Sequence, residues 1–219
     1  MSKRLQTIEN MIVPGYYDQI WDCCCDHGLL GINLLKKQVA QQIHFIDIVP
    51  SIMAKLEQTL QKFFDLNQFK WTVNCDDVAN IVISSDLKQK HLMIIAGVGG
   101  DQTIVMVKAL KKKYPQHQID FLLCPVRHQY KLRSELIDLE YGLIDEQLIV
   151  ENKRFYELIH VSQQATSKLS SVGSVIWQQP NELSGAYLSQ TINHYQRLSQ
   201  HHSEQNITTL TAYLNVPAQ

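Results

Sequence analysis

The stretch Ile20-Trp-Asp-Cys-Cys-Cys-Asp-His-Gly-Leu-Leu-Gly31 constrains the fold more than any other part of this 219-residue chain. It reads as a buried strand that runs into a tight turn and then a helix. That is the opening β–turn–α unit of a doubly wound sheet, which binds ligands beyond the carboxyl ends of its strands. The turn carries Asp26 and His27 where a phosphate-binding loop would carry glycines. A fixed negative charge there repels pyrophosphate and suits a cationic ligand. The G-x-G-x-x-G pattern of dinucleotide sites is absent, which argues against NAD.

The rest of the chain alternates in the same way. Residues 3–13 place Leu5, Ile8, Met11 and Ile12 on one helical face, and Pro14-Gly15 ends the helix. The first strand covers 19–25, and Leu29, Leu30, Ile32, Leu34 and Leu35 belong to the helix after it. Residues 42–48 form a second strand, Pro50-Ser51 opens a helix to about residue 64, and 71–75 form a third strand. The apolar run His91-Leu-Met-Ile-Ile-Ala96 is expected for a central parallel strand buried on both faces. It breaks at Gly97-Val-Gly-Gly100 into a helix through Lys113. A fifth strand, 120–124, stops at Pro125, and a helix covers about 128–140. Residues 143–150 and 155–161 then flank Glu151-Asn-Lys-Arg154 as a hairpin.

The expected architecture is therefore α/β: a Rossmann-like sheet of seven strands with the last pair antiparallel. Residues 163–182, rich in Ser, Gln, Thr and Gly, read as a surface linker. A helix from Leu183 to about Gln200 carries Leu188, Ile192, Tyr195 and Leu198 at helical spacing, and a short one near 206–214 follows. The expected division is a domain over 1–162 and, over 163–219, a linker with a small C-terminal helical appendage.

Composition excludes several classes. Hydrophobic content of 45% and charged content of 19% suit an ordinary globular protein. No apolar run approaches the roughly 20 residues of a membrane span, and Met-Ser-Lys-Arg leads into an amphipathic stretch, not a signal-peptide core. No membrane association and a cytoplasmic location are expected. The five cysteines are an odd number, and Cys23 to Cys25 are consecutive, so they cannot all pair with one another. Residues this close rarely converge on one ion, so no metal is expected. Net charge is −1, yet residues 108–133 hold seven cations against Asp120 alone. Lys111 to Lys113 suit the end of a helix. Arg127, Lys131 and Arg133, beyond the next strand, suit a polyanion.

Four strand ends carry candidate chemistry. After the first comes the turn from Cys24 to Gly28. After the second, Asp47 (with Ile48 beside it) can take both hydroxyls of a ribose. After the third, Asp76 and Asp77 can accept from an adenine amino group, although an Asp-Asp turn also reads as a helix cap. After the fourth, Gly97 to Gly100 let a flat substrate approach the backbone. A cationic, phosphate-free nucleoside cofactor fits this set, which points to S-adenosylmethionine.

At these residues the chain resembles the bacterial tRNA adenine-22 N1-methyltransferase family. The resemblance rests on Ser2-Lys-Arg-Leu5, Asp22 with Asp26-His27, and Ala96-Gly-Val-Gly-Gly100. It continues through Pro125, His128, Arg133, Tyr141-Gly-Leu-Ile-Asp-Glu146 and Phe155-Tyr-Glu-Leu158, and so spans about 1–161. It implies an S-adenosylmethionine-dependent methyltransferase core and a helical C-terminal piece that helps hold tRNA. By position, Asp22, Cys24, Asp26 and His27 would line the methionine end of the cofactor. Asp47 with Ile48 would take the ribose, Asp76 and Asp77 the adenine, and Gly97 would border both cofactor and base. Gly99 and Gly100 would meet the target base, and Arg4, Arg127, Lys131 and Arg133 the tRNA.

The chain departs from the family's pattern in three places. Cys24 and Cys25 replace glycine then serine, Gly31 replaces a frequent proline, and Cys124-Pro125-Val126 replaces Gln-Pro-Asn. Methylation at adenine N1 uses a ring lone pair and yields a cation, so negative potential near the base is needed more than a base catalyst. Asp26, and secondarily Asp101, are the expected catalytic residues. An exocyclic-amine methyltransferase would carry Asn or Asp, then Pro-Pro and an aromatic, where this chain has Ala-Gly-Val-Gly-Gly. Alternatives are a methyltransferase for another RNA, a protein or a small molecule, and a non-catalytic cofactor- or RNA-binding module.

Overall fold

Five hydrophobic strands followed by helices can bury both faces of a sheet only by laying helices on each side. The computed structural model, which describes residues 2–178, 181–200 and 203–216, has this form. In chain order the elements are α1 (Lys3–Asn10), β1 (Gln19–Cys23), α2 (Leu29–Lys36), β2 (Gln42–Asp47), α3 (Pro50–Phe63) and β3 (Trp71–Cys75). Then come β4 (Lys90–Ala96), α4 (Gly100–Lys113), β5 (Gln118–Cys124), α5 (Gln129–Asp138), β6 (Gly142–Glu151), β7 (Arg154–Ser162), α6 (Glu182–Ser199) and α7 (Glu204–Leu214). The sheet order is β3-β2-β1-β4-β5-β7-β6. The first five strands in that order are parallel, and β7 is antiparallel to both neighbours. The chain winds outward from β1 in one direction and from β4 in the other. The crevice between their carboxyl ends is the switch point where such sheets bind ligands.

Alternation along β4 divides the two cores. Leu92 and Ile94 pack with Ile20, Phe45 and the apolar sides of α1, α2 and α3. Met93 and Ile95 face the other way, onto Trp21, Phe121 and the α4 and α5 residues Val107, Leu110, Leu132 and Leu136. A third, smaller cluster joins Ile176, Trp177, Tyr187, Tyr213 and Val216 and mounts α6 and α7 on Phe155, Leu148 and Tyr130.

The structure moves several expected boundaries. β1 stops at Cys23, before the expected residue 25, because Cys24 turns left-handed at φ 56°. The hairpin is tighter than expected, since only Asn152 and Lys153 separate β6 from β7 and both have positive φ (49° and 63°). That is the pattern of a two-residue hairpin turn matched to strand twist. Residues 163–178 are not a solvated linker. Ser167 bridges Leu143, Leu169 is buried in the second core, and Ile176 and Trp177 are buried in a 3-10 turn, Val175–Trp177. A polar composition misled here because a few apolar side chains anchor the segment and Glu146 takes the N–H groups of Ser174, Val175 and Ile176. Residues 179–180 lie outside the described residues. Among the described residues no helix is long and apolar enough to cross a membrane, and no group of three or more His, Cys, Asp and Glu could hold a metal ion.

Candidate active site

The turn after β1 is built from alternating left-handed residues. Cys24, Asp26 and Gly28 have φ of 56°, 51° and 67°. Non-glycine residues rarely adopt this region, and such strain concentrates at functional sites. Hydrogen bonds hold the coil: Cys25 N–H donates to the Ile46 carbonyl at 3.1 Å, and Gly28 N–H to the Cys25 carbonyl at 2.8 Å. The Asp47 carboxylate, at the end of β2, accepts from Asp26 N–H at 3.0 Å and from Val49 N–H at 3.2 Å. One carboxylate thus fixes both the first turn and the start of α3.

These ends enclose a cleft of about 430 Å³ lined by Asp22, Cys24, Asp26, His27, Asp47 and Gly97, with Arg4 reaching in from α1. Asp22 is 5% exposed, and its carboxylate accepts from Gly31 N–H at 2.9 Å. Burial pushes its pKa up to about 7, with the Asp47 charge adding to the rise and the Gly31 bond opposing it. The proline frequent in the resembled family would have no N–H for this bond. A Cβ at Gly31 would stand 2.3 Å from the Phe45 ring, so the position has no room for a side chain as packed. Asp26 and His27 are largely exposed, with His27 Nε2 3.7 Å from the Asp26 carboxylate. Gly97 has φ 87°, and nothing lies within 4 Å of where its Cβ would be. It leaves open backbone at the mouth of the cleft. Burial raises the Cys24 thiol to about 12, with Asp47 and Asp22 contributing, so Cys24 is a small neutral wall residue.

The other expected residues are placed differently. Ile48 is 68% exposed and points away; its neighbour Val49 and Ile52 line the cleft instead. The signal that could have revealed this is Pro50, which as the first residue of α3 makes Val49 the N-cap and puts Ile52 in the first turn. Asp76 and Asp77 stand at the end of β3 but outside the cleft wall. Asp76 accepts from Asn80 Nδ2 at 3.0 Å and Asp77 N–H at 2.7 Å, which hold its carboxyl below the usual range. Asp77 caps the 3-10 turn Val78–Asn80.

Gly100 is buried against the β5–α5 loop, and Gly99 lies half-buried under the Arg127 side chain. A Cβ at Gly100 would lie 2.7 Å from the His128 carbonyl, and one at Gly99 3.0 Å from Arg127 Nε. Their missing side chains let α4 approach the β5–α5 loop, a contact of protein with protein. Asp101 is likewise outside the cleft. The first turn of α4 carries it to Lys131 Nζ at 2.7 Å and to His128 Nδ1. With them it lines a separate cavity of about 320 Å³ under Tyr130, His194 and Tyr195. An Asp101 neutralised in this way supplies no free negative charge to the cleft. Tyr16 sits by Lys90 at the amino end of β4, the opposite end of the strands from the cleft, and cannot stack on a base there.

The basic segment is largely consumed by structure. Lys108 pairs with Glu135 at 2.5 Å, Lys111 bonds the Leu139 carbonyl, and Lys113 bonds those of Asn80 and Ile81. Arg133 cannot touch RNA. It is 0% exposed and lies between Glu146 at 2.7 Å and Glu157 at 2.6 Å. It lies on the buried side of α5 with Leu132 and Leu136, which turns it into the interior.

Comparison with known proteins agrees with this geometry. A family profile described as a methyltransferase domain matches residues 1–159. A protein of Mycoplasma genitalium assigned provisionally as a tRNA methyltransferase is 26% identical over 165 residues, covering 74% of this chain and 70% of its own. The B. subtilis m1A22 tRNA methyltransferase TrmK superposes with a TM-score of 0.77 at 21% identity, over 98% of this chain and 94% of its own. TrmK of M. capricolum, solved with S-adenosylhomocysteine, gives 0.74 at 20% identity over 99% and 94%. These superpositions cover the C-terminal helices as well as the sheet, and at such identities they speak to fold. Strand order, the crevice between β1 and β4 and the profile over residues 1–159 agree: the chain belongs to the methyltransferase-domain family.

Proposed function

We propose that this protein is an S-adenosylmethionine-dependent methyltransferase acting on tRNA, with N1 of adenine 22 as acceptor. The observation that carries the reading is the cleft itself. It is ringed by three carboxylates, Asp22, Asp26 and Asp47, around the open backbone of Gly97, and it has no glycine cradle for phosphate. Such a wall suits a cofactor bearing an ammonium and a sulfonium. Asp47 keeps acceptor capacity beyond its two backbone bonds for ribose hydroxyls. Asp22 and His27 border the amino-acid end, Cys24 gives a neutral wall, and Asp76 and Asp77 stand one strand away for the adenine. When bound, the cofactor supplies an electrophilic methyl group.

Adenine N1 offers its own lone pair, so the protein has no proton to remove before transfer. Asp26, exposed at the cleft mouth, supplies negative potential as the base becomes cationic. Gly97 leaves space for a base brought flat against the backbone, which requires an unpaired or flipped-out nucleotide. A protein with this substrate works in the cytoplasm, where tRNA is.

The relatives named above as tRNA methyltransferases support the substrate class. Incubating the pure protein with unmodified tRNA and labelled cofactor, then mapping the modified base, tests the whole reading. Label at N1 of adenine 22 is expected; label elsewhere changes the acceptor, and none removes the activity. Asp26→Ala is expected to reduce transfer at least 100-fold while calorimetric cofactor binding survives, and normal turnover in that variant would exclude the role.

A further inference from the structure

Beside the cleft runs a second groove, of about 460 Å³, whose wall contains no carboxylate among the described residues. Arg127 comes from the β5–α5 loop, Lys153 and Arg154 from the β6–β7 turn, and Arg197 from α6. Three segments distant in sequence thus bring four exposed cations to one place. None of the four has an ion-pair partner among the described residues. Other exposed lysines, Lys55, Lys62 and Lys88 included, also lack an acid partner among the described residues; what marks the groove is that four such cations share it with no carboxylate in its wall. The groove is therefore locally positive in a chain of net charge −1. Unpaired cations of this kind attract an anion.

Two further features narrow the partner. The groove is lined by Phe155 and Tyr156, both half-buried. Aromatic rings among cations suit a polymer that alternates phosphates with flat bases. The turn that presents Lys153 holds it at φ 63°, where glycine would be free of strain, and so places a cation in a left-handed position. The groove also meets the cleft. Arg127 packs on Gly99, and the guanidinium of Arg4, a cleft residue, lies 5.1 Å from the centre of the Tyr156 ring.

We propose that this groove binds an unpaired stretch of RNA, with Lys153, Arg154, Arg197 and Arg127 on its phosphates and a base against Phe155 or Tyr156. It would hold the strand next to the nucleotide that enters the cleft. The placement of the target nucleotide rests on the tRNA methyltransferase reading; RNA binding by the groove does not.

The test compares the full-length protein with the triple variant Lys153→Gln, Arg154→Gln, Arg197→Gln, all exposed positions. A control triple, Lys55→Gln, Lys62→Gln, Lys88→Gln, removes equal charge at exposed sites on α3 and in the β3–β4 connection. tRNA binding is titrated at several salt concentrations. Each lost phosphate contact lowers the slope of log affinity against log salt by roughly 0.7–0.9, so the groove variant should lose about two units of slope and at least tenfold in affinity at low salt. The control should lose much less, and cofactor binding should be unchanged in both. Wild-type affinity and slope in the groove variant, or equal loss in the control, would overturn the proposal. So would competition by inorganic polyphosphate equal to that of single-stranded RNA, since it has no bases to stack. Methyl transfer is followed in parallel. Groove-dependent RNA binding without any transfer by the wild type sinks the enzymatic reading and leaves the groove standing.

Discussion

Asp22 is the residue whose chemistry is most altered by the fold. Its carboxyl is raised from an ordinary value near 3.8 to about 7, mainly because it is buried. The native state therefore binds a proton that the unfolded chain has released between about pH 4 and 7. Stability contributed here falls as pH rises through that window and stays reduced above it. A cationic cofactor favours the ionised form, so its affinity should climb with pH. Calorimetry is expected to show roughly tenfold tighter cofactor binding at pH 8 than at pH 6. In Asp22→Asn the dependence should vanish; a flat profile in the wild type would mean that Asp22 stays ionised.

The consecutive cysteines also behave as their surroundings dictate. Burial raises Cys24 and Cys124 to about 12 and pushes Cys23 and Cys25 up as well, whereas Cys75 is exposed. Thiolate is the reactive form. Iodoacetamide at pH 8 is expected to add one group per folded chain, at Cys75, as read by peptide mass spectrometry. Cys75→Ser should abolish it. Early labelling at Cys24 would show that the turn opens in solution.

At the scale of elements, two contacts decide where the site's parts stand. The first is the approach of α4 to the β5–α5 loop at Gly100, whose N–H donates to the Arg127 carbonyl at 2.9 Å. A methyl group there meets backbone that cannot rotate away. Gly100→Ala should cost about 1–3 kcal/mol in denaturant unfolding and displace Arg127 from the groove. The second is the buried network on Arg133, which ties α5 to β6 and β7 through Glu146 and Glu157. Tyr187 of α6 donates to Glu157 in turn. Burial alone would raise the Glu146 carboxyl, but Arg133 and the N–H groups of Ser174 and Ile176 outweigh it and hold it low. Its contribution is present above the ordinary carboxyl range and is lost as pH falls. Arg133→Met leaves two acids buried without their cation and is expected to cost about 3–5 kcal/mol. The salt slope of RNA binding by the molecules that remain folded should not change.

Across the whole molecule, stability is expected to be uneven. β4 lies at the centre of the sheet between two large cores, whereas α6 and α7 rest on a cluster of a few aromatic residues and on the Glu157 contact. Segments with fewer buried apolar contacts open at lower free energy. Hydrogen exchange should find β4 amides the slowest and α6–α7 amides faster by at least tenfold. Added tRNA should slow exchange in α6 and in the β6–β7 turn. Uniform exchange across α6, α7 and β4 would show instead that the appendage and the sheet form one cooperative unit.

Periodicity carried the architecture. His91 to Ala96 could only be a strand covered on both faces, and the apolar spacing of the helices and the length of the final hairpin required a mixed sheet with its last pair antiparallel. The gathering of Asp22, Asp26, His27, Asp47 and Gly97 at one cleft was equally legible, because it follows from standing at the carboxyl end of a strand, which is a local property. The roles of Gly99, Gly100, Asp101 and Arg133 were not legible, nor was the packing of residues 163–178. A glycine's empty side faces ligand or protein according to what another element brings against it, and an arginine is a surface cation or an interior counter-ion according to which helix face meets the sheet. The basic groove was hidden for the same reason: its cations lie on three separate segments, and charge along a chain says nothing of charge in space until the sheet order brings those segments together.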